Sequence, residues 1–324
     1  MSNAMSVALL VMLVAFSPTM AAEPETQPDA AQKKEMPFLG GFLRETRIVY
    51  PLTVGEWKAV GEHRYEQQEA GVSVRYAHGD DSDRWIDMYF YPVGTLSDEQ
   101  VATLAGQERN ALHRAWVQGP DAKEDDLSEL HTLSLPPRVA GDKAERVAAY
   151  SVDLTYTHEG SRRNSAMVVL FDRLYMVKAR FSVKDAALSR RKARKMLEAF
   201  TSELASKLMF TSSGGCWMPL PIEPLVADKP VPEGSLLSMQ TNGQPTEYVY
   251  PDRVLARDPE STSAKTAMML GMAMQHRMFP GCDGSDTLNP EVPKGMREIR
   301  IEYRASDESP TPAKPAHAAR SGVG

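Results

Sequence analysis

The sequence predicts an α+β protein: an antiparallel sheet flanked by helices in an α/β/α sandwich, followed by a small disulfide-linked extension. Three observations predict this class. Apolar residues alternate with period two over several short runs, then recur at helical spacing, and the cycle repeats once. The connections between neighbouring strand candidates are too short for parallel crossovers, so the strands pair antiparallel. Helices grouped on the faces of such a sheet bury the apolar sides of both.

Residues 47–52 and 56–65 are the first strand candidates, divided at Gly55. Over 71–78, Val72, Val74 and Tyr76 alternate with Ser73 and Arg75. Gly79-Asp80-Asp81-Ser82-Asp83 then makes a turn. Over 84–92, Ile86, Met88 and Phe90 alternate with Asp87, Tyr89 and Tyr91. These runs form a meander with one buried face. Ser97 and Gln100 make a capping box. Val101, Leu104, Ala105, Ala111, Leu112 and Ala115 follow on one helical face until Gly119-Pro120. The acidic run from Asp121 to Asp126 reads as a solvated loop.

After Pro136-Pro137 the strands resume. Tyr150, Val152, Leu154 and Tyr156 alternate with Ser151, Asp153 and Thr155, and His158-Glu159-Gly160-Ser161 turns the chain. Residues 164–171 and 174–182 form a hairpin around Asp172-Arg173. A helix over 185–208 carries Ala193, Met196, Leu197, Phe200, Leu204 and Leu208 on one face. Its basic residues, Arg190, Arg191, Lys192, Arg194 and Lys195, read as the solvated side.

Residues 210–305 form the extension. Five prolines over 217–233 oppose regular structure there. A short strand is expected at 246–250, a helix from about Thr262, and a strand over 296–304, where Ile299, Ile301 and Tyr303 alternate with Arg300, Glu302 and Arg304.

Residues 1–22 read as a secretory leader, with no charged side chain and an unbroken apolar run of ten from Val7 to Phe16. Ser17-Pro18-Thr19 breaks the run and Ala21-Ala22 offers a cleavage site. The run is shorter than the ~20 residues of a membrane span, so no span is expected once the leader is removed. Its flank lacks a basic residue, and the second methionine, Met5, is an alternative start. Residues 23–45 read as a polar tether, and 306–324, rich in Pro and Ala, as a disordered tail. The expected address is therefore periplasmic or secreted. At that address Cys216 and Cys282, the two cysteines of the chain, are most simply a disulfide. They lack the C-x-x-C spacing of redox and zinc sites. A formal charge of −6 argues against a nucleic-acid partner, because phosphate binding needs clustered excess cations.

Residues 46–208 resemble the PsbP-like fold, which is shared by several bacterial exported proteins. The resemblance rests on Trp57 in an early strand followed by Val72–Tyr76 and Ile86–Tyr91-Pro92. It rests also on Ala149–Leu154 leading into a turn, and on Leu174–Ala179 before the closing helix. It implies a PsbP-like domain over 46–209 and a noncatalytic accessory or assembly role.

No H-E-x-x-H, C-x-x-C-H, G-x-S-x-G, Walker A or G-x-G-x-x-G pattern occurs, and no catalytic residue or cofactor is expected. The Asp-rich segments Gly79–Asp83 and Asp283-Gly284-Ser285-Asp286 read as turns, since neither has the layout of a calcium loop. The Met-rich stretch 268–278 is the unusual feature. On a continuous helix Met269, Met272 and His276 share a face, and thioether plus imidazole suits Cu(I). A packing stripe of Met268, Met272 and the alanines explains the same residues as core filler. The reading is thus a noncatalytic binding or accessory protein of the bacterial envelope, its partner an envelope protein or small ligand. An enzyme with a motif-free site in a sheet–helix cleft and a periplasmic Cu(I)-binding protein are the alternatives.

Overall fold

The computed structural model of the protein describes residues 43–79, 81–116, 126–135, 148–226, 229–282 and 291–304. The 1–22 leader, the 306–324 tail, Asp80 and the Asp283–Asp286 turn lie outside the described residues.

The elements run β1 (Leu43–Pro51), β2 (Thr53–Val54), β3 (Trp57–Arg64), β4 (Val72–His78), β5 (Asp81–Pro92) and α1 (Asp98–Trp116). Then come β6 (His131–Ser134), β7 (Ala148–His158), β8 (Ser161–Asp172), β9 (Tyr175–Lys184) and α2 (Arg190–Lys207). The extension holds β10 (Met209–Gly214), β11 (Ile222–Pro224), β12 (Leu237–Thr241), β13 (Gln244–Val249), β14 (Val254–Ala256), α3 (Thr262–Met274) and β15 (Met296–Glu302).

An antiparallel sheet of eight strands, ordered β2-β3-β4-β5-β9-β8-β7-β6, forms the body. The alternation read from the sequence sets its faces. Val72, Val74, Tyr76, Ile86, Met88 and Phe90 all point to one side and are buried. Ala193, Leu197, Phe200 and Leu204 of α2 close that side, with Phe200 edge-on to Trp57 and Tyr76 at 5.8 and 5.1 Å. On the other side Val152, Leu154, Met167 and Val169 pack under Leu112 of α1. Strand β8 is therefore buried on both faces, which explains its unbroken apolar run Ala166–Phe171. The capping box forms as read: Ser97 N–H donates to Gln100 Oε1 at 2.8 Å, and Gln100 N–H to Ser97 Oγ at 3.3 Å.

The fold is α+β, as expected. The flanking sandwich is not established, because the second face of β4 and β5 carries half-exposed Arg75, Asp87, Tyr89 and Tyr91 rather than apolar residues under a helix. The basic side of α2 also differs from the expectation of a purely solvated face. Asp153 on β7 is buried, and Arg190 and Arg194 turn inward to pair with it at 2.7 and 2.9 Å. A buried carboxylate without a cation is strongly disfavoured, so the sheet recruits two members of the run.

Two smaller sheets complete the chain. Strand β1, which begins inside the stretch read as tether, pairs antiparallel with β10 and β15 in the order β10-β1-β15. Its Ile48, with Phe210 and Ile299, joins the core beneath α2. The second is ordered β11-β14-β13-β12, and α3 packs on it around Leu220, Val249, Val254, Ala267 and Met272. β11 forms within the proline-rich segment because it is an edge strand, where a missing N–H is tolerated.

Candidate functional site

Helix α3 is built by its ends and by one glycine. Ser261 caps its start, its side chain accepting from Ala264 N–H at 3.1 Å. Ala264, Ala267, Gly271 and Met272 face the small sheet. At Gly271 an added Cβ would lie 2.7 Å from both Leu220 Cδ1 and Val249 Cγ1, so a larger residue would have to push those side chains aside. The helix stops at Met274, and Cys216 and Cys282 form the expected disulfide beyond it. Phe279 N–H donates to Cys216 O at 2.9 Å, and Met218 N–H to Arg277 O at 2.9 Å. The bridge and these bonds fasten the segment leaving α3 to the segment entering β11.

The outer side of α3 is apolar and open. Met269 is 53% exposed, Leu270 42% and Met274 52%. Exposed Trp217 is held beside the chain leaving the helix, bridged to Met278. Single exposed apolar residues are ordinary, but three large ones within six positions of one helix make a patch of the kind that marks interaction sites. Covering the half of such side chains that remains exposed is worth about 1 kcal/mol each. Methionine's flexible thioether lets such a surface adapt to the shape of a partner.

The three residues read as a copper site fall differently. Met272 is only 9% exposed and packs in the cluster under α3, whereas Met269 points outward. His276 follows the helix, with a left-handed backbone at φ 47°, so the helical spacing that aligned it with Met269 ends before it. Among the described residues no group of three His, Cys, Asp or Glu side chains is placed to hold a metal ion.

Two other surfaces compete for attention. The open half of the large sheet is satisfied internally. Arg75 donates to both oxygens of Asp87 at 2.6 and 3.0 Å and lies 5.3 Å over Trp85. Lys178 lies 5.5 and 5.1 Å over Tyr89 and Tyr91 and pairs with Glu108 of α1 at 3.2 Å. Burial, and then the Glu108 charge, push the Tyr91 hydroxyl above its usual range. The second surface is a polar cleft of about 760 Å³ between β3, the turn Gln68–Ala70 and β15. Arg64, Glu66, Glu69, Arg300, Glu302 and Arg304 line it, three charges of each sign.

Tyr76, Tyr175 and Tyr303, whose ionisation is raised by burial, lie in packed interior. Tyr175 and Tyr303 hydrogen-bond each other through their hydroxyls, and both are pushed up by desolvation. Their bond pins the end of the extension to β9. Tyr76 is likewise raised by burial, its hydroxyl donating to Pro51 O at 2.7 Å. These are structural hydroxyls rather than acids or bases facing a ligand.

The chain matches no protein-family model and no curated protein. Among solved structures it is similar to LpqN, a protein involved in cell envelope biogenesis of Mycobacterium tuberculosis. The identity is 12%, over 52% of this chain and 84% of that chain, with a TM-score of 0.31. A likeness at that score fixes neither fold family nor function. The PsbP-like resemblance of residues 46–208 thus has no family model behind it.

No helix among the described residues is long and apolar enough to cross a membrane.

Proposed function

We propose that this is an exported, noncatalytic binding or accessory protein of the bacterial cell envelope, with a PsbP-like core, that holds a partner protein on the outer face of α3. The observation that carries the reading is the open row Met269, Leu270 and Met274 on a helix fastened at its exit by a disulfide. The disulfide itself suits an oxidising compartment, periplasmic or secreted. The body of the protein serves as a rigid mount, and the extension presents the surface.

Capture from envelope extract tests this, using the full oxidised chain on a support beside the double variant Met269→Glu/Met274→Glu. Both positions are exposed, so stability should change by no more than about 0.5 kcal/mol each. The bound partner should fall at least tenfold with the variant. Equal capture by the two proteins would sink the proposal.

A further inference from the structure

The outer face of α3 carries the open thioethers of Met269 and Met274, and no thiol shields them from oxidants. Both side chains are exposed. A thiolate would consume peroxide ahead of a thioether. The chain has two cysteines, however, and both lie in the Cys216–Cys282 bridge. Peroxide that reaches this face therefore meets methionine sulfur first.

The methionines of the helix differ in depth. Met272 lies in the cluster under α3, and Met268 is partly buried against that cluster. Met269 and Met274 stand outside it. The helix is held by Ala264, Ala267, Gly271 and Met272 on its inner side, by the Ser261 cap, and by the bonds that tie its exit to Cys216 and Met218. None of these uses the outer sulfur atoms, so their oxidation changes the surface and leaves the packing in place. At 3.6 residues per turn, Met269, Leu270 and Met274 fall within about 140° of the helix circumference, with Leu270 between the two methionines. A sulfoxide at either position thus borders the leucine and breaks up the apolar row.

We propose that Met269 and Met274 form an oxidation-sensitive modification site, at which peroxide turns the α3 face from apolar to polar and releases the partner protein. The release rests on the binding role proposed above; the selective oxidation does not. In the step, a lone pair on Met Sδ attacks one oxygen of hydrogen peroxide, an S–O bond forms and the O–O bond breaks. The second oxygen leaves, takes up the proton of the transferred one and departs as water. Sulfur is oxidised by two electrons and peroxide is reduced by two. The sulfoxide is polar, and covering its oxygen with an apolar partner that offers no donor is unfavourable. A thiol-dependent sulfoxide reductase reverses the change, removing the oxygen as water while two thiols become a disulfide.

Hydrogen peroxide treatment of the full, disulfide-intact protein tests the inference. Peptide mass spectrometry should show Met269 and Met274 converted at least tenfold faster than Met272, with the thermal midpoint unchanged once both outer sulfoxides have formed. Capture from the same envelope extract should then fall at least tenfold. Met269→Leu/Met274→Leu keeps the face apolar and removes both sulfur atoms. Measured against its own untreated level, its capture should not change with peroxide, although Met209 stays open to oxidation on β10. Undiminished capture by the oxidised parent would overturn the proposal. So would an equal fractional loss in the leucine variant, or conversion of Met272 at the rate of the outer pair. Capture by the untreated parent no better than by Met269→Glu/Met274→Glu would sink the binding role and the release with it, even where oxidation is selective.

Discussion

At the scale of the residue, the clearest dependence lies at Arg47 and Glu298. The Arg47 side chain is 2% exposed, and its Nε donates to Glu298 Oε2 at 2.7 Å, joining β1 to β15. Hydrogen bonding from Arg47 holds the Glu298 carboxyl below its ordinary range, against the opposing effect of burial. A carboxylate with a depressed folded-state pKa contributes stability that is present above its unfolded value and lost as pH falls through the folded one. Stability to denaturant should therefore drop as pH falls through and below the ordinary carboxylate range, and Glu298→Gln should flatten that slope. An unchanged slope in the variant would contradict the assignment. At neutral pH, Glu298→Ala removes this carboxylate from a buried guanidinium and should cost roughly 1.5–3 kcal/mol, the range for a charge-assisted hydrogen bond. Gly71 is the second sensitive residue. Its φ is 64°, and an added Cβ would lie 1.9 Å from Phe90 O, so Gly71→Ala should lower unfolding free energy by more than about 3 kcal/mol. Neither dependence was legible in the sequence. Each needs a partner 19 or more positions away, and local pattern carries no such information.

At the scale of the element, what local pattern dictates was legible and what distant pairing dictates was not. Alternation located β4, β5 and β7, the turn at Asp172-Arg173 located β8 and β9, and the Ser97–Gln100 box located the start of α1. The helical face of α2 was read correctly, but its basic side was not, because Asp153 lies some 40 positions upstream, on β7. The end of α3 carries no glycine or proline stop before Pro280. It is set by Met272 O accepting from Arg277 N–H and by the return of the chain to Met218. That tertiary stop is what displaces His276 from the helix. The disulfide closes a separation of 66 residues and should stabilise the protein by about 4 kcal/mol on the loop-entropy estimate. Denaturation with and without reductant, and of Cys216→Ala/Cys282→Ala, should show that loss. Equal midpoints would mean that β10 and β15 alone hold the extension. Gly271→Ala should cost about 1–3 kcal/mol by overpacking α3 against Leu220 and Val249.

For the whole molecule, the body and the extension are more deeply joined than the sequence suggested. β1 lies between two strands of the extension, and Phe210, Phe279, Ile299 and Tyr303 share the core with Tyr76 and Phe90. The α+β class was legible because it follows from the order of periodicities. The partner of β1 was not, since a strand's neighbours depend on edges formed far along the chain. The candidate site was half legible. The Met-rich stretch stood out, but periodicity alone did not separate Met272, which is core, from Met269 and Met274, which are surface. Methionine oxidation read by mass spectrometry tests that division directly, because thioether reactivity follows exposure. In the free protein Met269 and Met274 should oxidise well before Met272. With the captured envelope partner bound, both should slow at least tenfold while Met209, exposed on β10, keeps its rate. Unchanged oxidation of Met269 and Met274 in the complex would contradict the claim that α3 is the binding surface.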